Sequence, residues 1–203
     1  MLPILSRLAP PEMGVERQAV MRAEIDVDIE RLREFADDAD PSIRRLAISS
    51  LDRVGRLLDA DLREILKDPD RDVRCRALEL AHRRTKIKLD DLLNDEDDLV
   101  VETCCWALGE RPQSSASTRA SLATIATEHQ VPICREAAIA ALGAIGHDDG
   151  LDAILQGMDD KATVRRRAVL ALAPFEDPRA AAALKEALND RDRQVRQAAE
   201  DLL

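Results

Sequence analysis

The sequence repeats one pattern six times over its 203 residues, and this repetition limits the folds open to the chain. In each copy an apolar residue, here called the anchor, is followed by a small residue four positions later and an apolar residue eight positions later. Successive anchors lie 30, 27, 34, 30 and 31 residues apart. The anchors are Ile43, Val73, Val100, Cys134, Val164 and Val195. Repeats of this length are typical of stacked two-element units that bury their apolar faces against one another.

A second apolar motif precedes every anchor. It has the form Leu-x-x-apolar-apolar, and its first residue lies 11 to 13 positions upstream of the anchor. The leading residues are Leu32, Leu62, Leu89, Leu122, Leu151 and Leu184. Both motifs follow the i, i+3, i+4 spacing of a helix face, and neither alternates as a strand does. The sequence therefore predicts an all-α fold of six two-helix hairpins.

The second helix of each hairpin is predicted to be covered on two sides. Positions 0, 4, 7 and 8 counted from the anchor form one apolar stripe, and position 5 is apolar as well. A narrow stripe near positions 2, 6 and 10 is left for solvent or a partner. The residues at position 5 are Ile48, Leu78, Cys105, Ile139 and Val169.

The links between the two helices of a hairpin carry capping residues. An aspartate stands three positions before four of the anchors, where its carboxylate can accept hydrogen bonds from the first amides of the second helix. An arginine follows the anchor in five repeats, and Val101 takes its place in the third. The aspartates are Asp40, Asp70, Asp97 and Asp192, and the arginines are Arg44, Arg74, Arg135, Arg165 and Arg196.

This succession of Asp, Val-Arg, a small residue and Leu resembles bacterial HEAT-like repeats, of the short type also found in phycobilisome lyase subunits. The resemblance covers about residues 25–203 and is clearest at residues 70–74, 163–165 and 192–196. It implies a right-handed α-solenoid of about six HEAT-like hairpins, with the second helices on the concave side. It also implies that the arginines pair with aspartates between helices. Residues 1–24 do not fit the repeat and are predicted to form an N-terminal segment with a capping helix.

Charge and composition exclude several classes of protein. The chain has 40 acidic and 30 basic residues, which gives a net charge of -10 and argues against nucleic acid as the partner. No apolar run is long enough for a membrane span, and residues 1–5 lack the pattern of a signal peptide. We therefore expect a soluble, cytoplasmic protein. Its cysteines, which we expect to be reduced thiols, are Cys75, Cys104, Cys105 and Cys134.

No sequence motif indicates catalysis, a cofactor or a metal. None of the histidines His82, His129 and His147 has zinc-ligand spacing to a cysteine. One enzyme of the HEAT fold, deoxyhypusine hydroxylase, holds two irons with repeated His-Glu pairs, but none of these histidines precedes a glutamate. The acidic residues near Asp70 are better explained as helix caps than as a calcium loop, because Val73 stands where that loop needs glycine. The sequence therefore predicts a non-enzymatic protein without a cofactor.

Trp106 is the main candidate for contact with a partner. It lies at position 6, on the stripe predicted to be exposed, and Ala140 and Leu170 hold the same position in the next two repeats. Glu102, Glu136 and Arg166 border this apolar strip. An aromatic anchor with a charged rim is typical of a protein-binding hot spot, so we predict that a protein or peptide binds there. The alternative is that curvature buries Trp106 against Glu110 and the loop after it.

Two other functions remain open at this point. One is a bilin-lyase-like enzyme subunit, which the absence of Tyr and the single Trp disfavour. The other is binding of phosphate or nucleic acid through Arg45 and Arg166.

Two further features are predicted outside the strip. Residues 113–118 form an exposed polar loop beside Trp106, where the loop would be placed to gate the strip. The last repeat has no following unit to cover its leucines, which predicts a homodimer through the C-terminal end. The residues concerned are Leu184, Leu188 and Val195.

Overall fold

The computed structural model describes residues 14–203, and all the regular structure in that range is helical. The chain divides into two compact units, Met1–Leu58 and Asp59–Leu203. Residues 1–13 of the predicted N-terminal segment lie outside the described residues. None of the helices described combines the length and the hydrophobicity needed to cross a bilayer.

The first unit contains three helices, α1 (Val15–Ile25), α2 (Ile29–Ala36) and α3 (Pro41–Arg53). α1 packs against α2 and α3 and buries Val20 and Ala23. The Glu24 carboxylate at the end of α1 accepts hydrogen bonds from Ser50 Oγ at 2.7 Å and Arg53 Nε at 2.6 Å. These bonds lower the pKa of Glu24 to about 2. The predicted capping segment thus contains a helix that is joined to the first hairpin.

The second unit contains the other five hairpins. Their first helices are α4 (Asp59–Ile65), a 3₁₀ helix (Asp90–Asn94), α7 (Ala116–Glu128), α9 (Leu151–Gln156) and α11 (Pro178–Ala187). Their second helices are α5 (Arg71–Ala81), α6 (Asp98–Gly109), α8 (Pro132–Ile145), α10 (Ala162–Ala171) and α12 (Arg193–Glu200). Short 3₁₀ helices at Asp148–Gly150 and Gly157–Asp159 flank α9.

The first helix of the third repeat differs from the prediction. The pattern Leu89, Leu92, Leu93 predicts an α-helix, but the structure has only the 3₁₀ helix Asp90–Asn94. The step from Val73 to Val100 is the shortest of the five, at 27 residues, so too few residues remain for a full helix after the turn at 82–88. Leu89 and Leu93 are still buried, so the position in the core is kept without the helix.

The second helices pack side by side in the order α5, α6, α8, α10, α12. The residues predicted at position 5 of α5, α6, α8 and α10 are fully buried, which confirms that these four helices are covered on two sides; Ile48 in α3 is fully buried as well. Two contacts are especially close. A Cβ atom added to Gly109 would lie 2.8 Å from Ala141 Cα, and one added to Gly143 would lie 2.7 Å from Ala171 Cα. Only glycine therefore allows the backbones of α6, α8 and α10 to approach this closely.

The links contain the caps that the sequence predicts. Each of the four predicted aspartates accepts a hydrogen bond from a backbone amide of the first turn of its helix. The arginine after the anchor donates to one or two backbone carbonyl oxygens of its own link, as Arg135 does to His129 and Gln130 at 2.6 and 3.1 Å. These bonds satisfy carbonyl groups in a segment that has no helical partners for them.

The same arginines join neighbouring repeats. Arg135 donates from Nε and from a terminal nitrogen to both oxygens of Asp160, at 2.6 and 2.8 Å, in the link of the next repeat. We call such a pair a rung. Further rungs are Arg74–Asp95 and Arg165–Asp190. The rungs confirm, for three of the five arginines, the pairing that the resemblance implies, and in each rung the arginine side chain is at most 13% exposed.

The structure corrects the predicted loop and describes the C-terminal end. Ser115 caps α7, which begins at Ala116, and Thr118 is buried and donates a hydrogen bond to Asp90. Residues 116–118 are therefore helical and not part of an exposed loop. At the C-terminal end, Leu184 and Val195 are 9% and 0% exposed, because α11 and α12 pack on each other and on α10. Leu188 is half-buried, and the homodimer through this end stays a prediction.

Candidate functional site

The predicted apolar strip lies on three helices that are neighbours in the second unit. Trp106 on α6 is 40% exposed, Ala140 on α8 is half-buried, and Leu170 on α10 is 37% exposed. The predicted border residues lie on the same helices, with Glu102 and Glu136 half-buried and Arg166 exposed. The alternative in which curvature buries Trp106 is not observed.

Two apolar residues extend the strip and were missed in the sequence. Leu99 on α6 and Ile133 on α8 are 40% and 42% exposed, one position before their anchors. Each lies seven residues before the strip residue of its helix, which is two helical turns, so both lie on the same face as the strip. We call the combined surface the exposed face; it consists of Leu99, Glu102, Trp106, Ile133, Glu136, Ala140, Arg166 and Leu170.

His82, which belongs to the preceding repeat, packs against the indole ring of Trp106. The two ring centroids are 5.1 Å apart and the ring planes are inclined by 50°. Nδ1 of His82 lies 2.6 Å from the carbonyl oxygen of Glu79, and Nε2 accepts a hydrogen bond from Arg83 Nε at 3.1 Å. Both nitrogens of the imidazole are therefore hydrogen-bonded, and the ring contacts the indole of Trp106, which stays 40% exposed. The sequence pattern gave no indication of this contact, because it joins position 9 of one repeat to position 6 of the next.

Glu102 and Glu136 lie between the apolar residues of the exposed face. Burial, together with the negative charge of Glu136, raises the pKa of the Glu102 carboxyl. Within residues 14–203, neither carboxylate has a hydrogen bond or an ion pair. Glu79 on α5 differs, because its carboxylate accepts a hydrogen bond from Arg76 at 2.7 Å. The exposed face thus carries two half-buried carboxylates without a hydrogen bond or an ion pair in the described part of the chain, although the charge of Glu136 contributes to the raised pKa of its neighbour Arg135.

The junction between α6 and α8 also lacks a rung. Val101 stands where the arginine would be, and His129 stands where Asp95 and Asp190 lie in their own links. Three potential metal ligands meet here, with one ligand atom each of Asp98, His129 and Cys134 within 4.8 Å of one another. Spacing along the chain had given no reason to group them, because Asp98 comes from the preceding repeat.

The hydrogen bonds of this trio favour a structural role over metal binding. His129 Nδ1 accepts a hydrogen bond from the Val131 amide at 3.2 Å, so the neutral ring carries its proton on Nε2, which lies 3.8 Å from Asp98 Oδ1. A metal bound at Nε2 would move that proton to Nδ1, against the Val131 amide. Cys134 is buried, burial raises its thiol pKa to about 11, and the thiol donates to the Asp98 carbonyl. We therefore interpret the trio as the polar contact that replaces a rung.

The stacked hairpins and the exposed face of their second helices define a helical repeat protein of the α-solenoid class. The family model for HEAT repeats matches residues 60–143 and 119–203, so the chain belongs to the HEAT repeat family. No curated protein matches the sequence significantly.

Two designed proteins of known structure are similar in fold. An engineered protein is 17% identical with a TM-score of 0.58, over 87% of this chain and 95% of the other. A designed armadillo repeat protein, solved in complex with the peptide (KR)4, is 16% identical with a TM-score of 0.54, over 92% of this chain and 97% of the other. At these identities the likeness extends to the fold alone.

Proposed function

We propose that this protein is a non-enzymatic binding module that holds an extended segment of a partner protein on the exposed face. The observation that carries the proposal is the exposure of the one tryptophan of the chain, at 40%, in a row with other exposed apolar residues on neighbouring helices. Of the six large hydrophobic residues exposed in the described second unit, four belong to this face. A row of this kind is the composition expected of an interaction surface.

The geometry of the array suits an extended segment. Neighbouring packed helices lie about 8–10 Å apart, which an extended chain covers in about three residues. A segment crossing α6, α8 and α10 would therefore place a side chain over each helix in turn. The designed armadillo repeat protein with its bound peptide supports this mode of binding for a helical array of similar fold.

The test is a selection of binders followed by a matched pair of variants. Peptides selected against the wild-type protein from a random 12-residue library are measured by fluorescence anisotropy against Trp106→Ala and Met21→Ala. Met21 on α1 is 42% exposed and lies outside the exposed face, so it controls for the loss of an exposed apolar side chain. We expect Trp106→Ala to weaken binding by about 2 kcal/mol or more, and Met21→Ala to leave it unchanged.

Circular dichroism distinguishes a loss of binding from a loss of folding. Because the Trp106 side chain is not part of the core, the helical signal of Trp106→Ala should equal that of the wild type. Selected peptides that bind both variants equally well would overturn the proposal.

A further inference from the structure

The α6–α8 junction carries more negative charge on the exposed face than the other junctions between second helices in the second unit, because both of its helices have a glutamate at position 2, where α5 has Cys75 and α10 has Arg166. At the α5–α6, α8–α10 and α10–α12 junctions, an arginine of one repeat meets an aspartate of the next. At the α6–α8 junction Val101 replaces the arginine, and the carboxylates of Glu102 and Glu136 flank the junction on the exposed face. The missing rung and the unpaired glutamates thus occur at the same junction.

The charged form of Glu102 is destabilised in the folded protein. Burial raises the pKa of Glu102, and the charge of Glu136 raises it further. The charged form of Glu102 is therefore less stable in the folded protein than in water. A cation placed between the two carboxylates would remove the repulsion and replace the lost hydration by charge-assisted hydrogen bonds. Such a cation would have to come from outside the described chain, because no described residue forms an ion pair with either carboxylate.

The apolar neighbours specify what kind of cation fits. Each glutamate has an apolar residue one turn before it and another one turn after it on its own helix: Leu99 and Trp106 for Glu102, and Ile133 and Ala140 for Glu136. A lysine or arginine side chain has an aliphatic stem to cover such residues and a charged end for the carboxylates. The indole face of Trp106 also attracts a cation. A small inorganic cation would leave this apolar surface uncovered.

We propose that the partner segment places one lysine or arginine side chain between Glu102 and Glu136, which gives the two carboxylates the ion pair that the described part of the chain does not provide. The inference rests on the proposed function and names the chemistry of the partner. Arg166 on α10 reverses the charge at the next helix, so the acidic region is limited to one junction. The segment therefore carries a single basic residue at this point and not a basic run along the whole face.

The experiment combines the peptide selection described above with a double-mutant cycle. The strongest selected peptide is synthesised with each Lys or Arg replaced in turn by norleucine, which keeps an aliphatic chain without the charge. Each peptide is measured on the wild type, on Glu102→Gln/Glu136→Gln, and on Glu128→Gln/Glu186→Gln. The last variant removes the same charge from two exposed glutamates on first helices, so it controls for the change in net charge.

We expect one basic residue of the peptide to be coupled to the two glutamates. Its replacement by norleucine should weaken binding to the wild type and to the Glu128/Glu186 control by about tenfold, but binding to the Glu102/Glu136 variant by less than about twofold. Equal losses on all three proteins would overturn the inference, as would selected peptides without Lys or Arg.

Failure of the inference is distinguishable from failure of the proposed function. If the selected peptides lose affinity on Trp106→Ala but show no coupling to Glu102 and Glu136, the proposed function is supported. The proposed basic residue of the partner segment is then wrong. If no selected peptide is weakened by Trp106→Ala, the proposed function itself is wrong, and the inference with it.

Discussion

The α6–α8 and α8–α10 junctions pack through the same backbone contact but differ in how their charges are paired. In both, a glycine near the end of one helix meets an alanine of the next, Gly109 with Ala141 and Gly143 with Ala171. The α8–α10 junction adds the Arg135–Asp160 rung, whereas the α6–α8 junction has the contact of His129 with Asp98. The comparison indicates that close packing holds the repeats together with or without a rung. The charges available to a partner, on Glu102 and Glu136, lie at the junction that has no rung.

The largest expected effect comes from removing a rung. Arg135→Ala would leave Asp160, only 20% exposed, without its cation, and two link carbonyls without their donor. We expect the free energy of unfolding to fall by about 3 kcal/mol, measured by urea denaturation of the full chain. His129→Ala at the α6–α8 junction should cost less than about 1 kcal/mol, because it removes one neutral hydrogen bond and a longer contact. Equal losses in the two variants would contradict the distinction between the junctions.

Adding a methyl group at Gly109 or at Gly143 should destabilise the protein by a similar amount, because each glycine makes the same close contact at its own junction. In Gly143→Ala and Gly109→Ala the new Cβ would lie under 3.0 Å from backbone atoms of the next helix, which cannot move aside as a flexible side chain can. We expect each variant to lose about 2 kcal/mol in the same denaturation experiment. Gly14→Ala serves as the control, because its new Cβ would have only an ordinary contact with a side-chain atom of Glu16. A tolerated substitution at one junction only would show that the two do not share their packing.

Introducing a rung at the α6–α8 junction should stabilise the protein, because it would give this junction the ion pair that the α8–α10 junction has. The double variant Val101→Arg/His129→Asp places an arginine and an aspartate at the positions that they hold in the other repeats. We expect a gain of about 1 kcal/mol in the free energy of unfolding, because the pair is part-buried and bidentate. Val101→Arg alone should destabilise the protein, since its guanidinium would then lack a carboxylate. If the double variant is no more stable than this single variant, the two new residues do not pair.

The smallest expected effect is a pH dependence of opposite sign at the two junctions. Arg135 lowers the pKa of Asp160, so the stability from Asp160 is present above its usual pKa, near 4, and is lost as the pH falls through the lowered value. Burial raises the pKa of Glu102, so this residue opposes folding at neutral pH and ceases to do so as the pH falls below about 4. Glu102→Gln should therefore stabilise the protein by a few tenths of a kcal/mol at pH 7 and have no effect at pH 3. A stabilisation independent of pH would contradict this origin.

Most of the helical architecture was predictable because it depends on local spacing. Anchors, small residues and capping aspartates lie at fixed distances along the chain, and the amide or neighbour that each one meets is set by helix geometry. The third repeat was mispredicted because its leucines keep the spacing of a helix while its short length leaves no room for one. Residues 116–118 were mispredicted for a related reason: their polar composition suggests a loop, but Ser115 caps the helix and Thr118 reaches Asp90.

The exposed face was only partly predictable. The exposure of Trp106 and Leu170 follows from their position on a helix that is covered on two sides. The contact with His82, the unpaired state of Glu102 and Glu136, and the meeting of Asp98, His129 and Cys134 all join residues of different repeats. Their distances depend on how closely α5, α6 and α8 approach one another.

The sequence by itself determined that the chain is helical, where each second helix begins, and which stripe of it stays out of the core. These properties follow from the chemistry of residues within about eight positions of one another. Only the tertiary structure decided which charges find partners. Glycines at the closely packed backbones set the register of one repeat on the next. This register pairs an arginine with an aspartate at the α8–α10 junction and leaves two glutamates near each other at the α6–α8 junction.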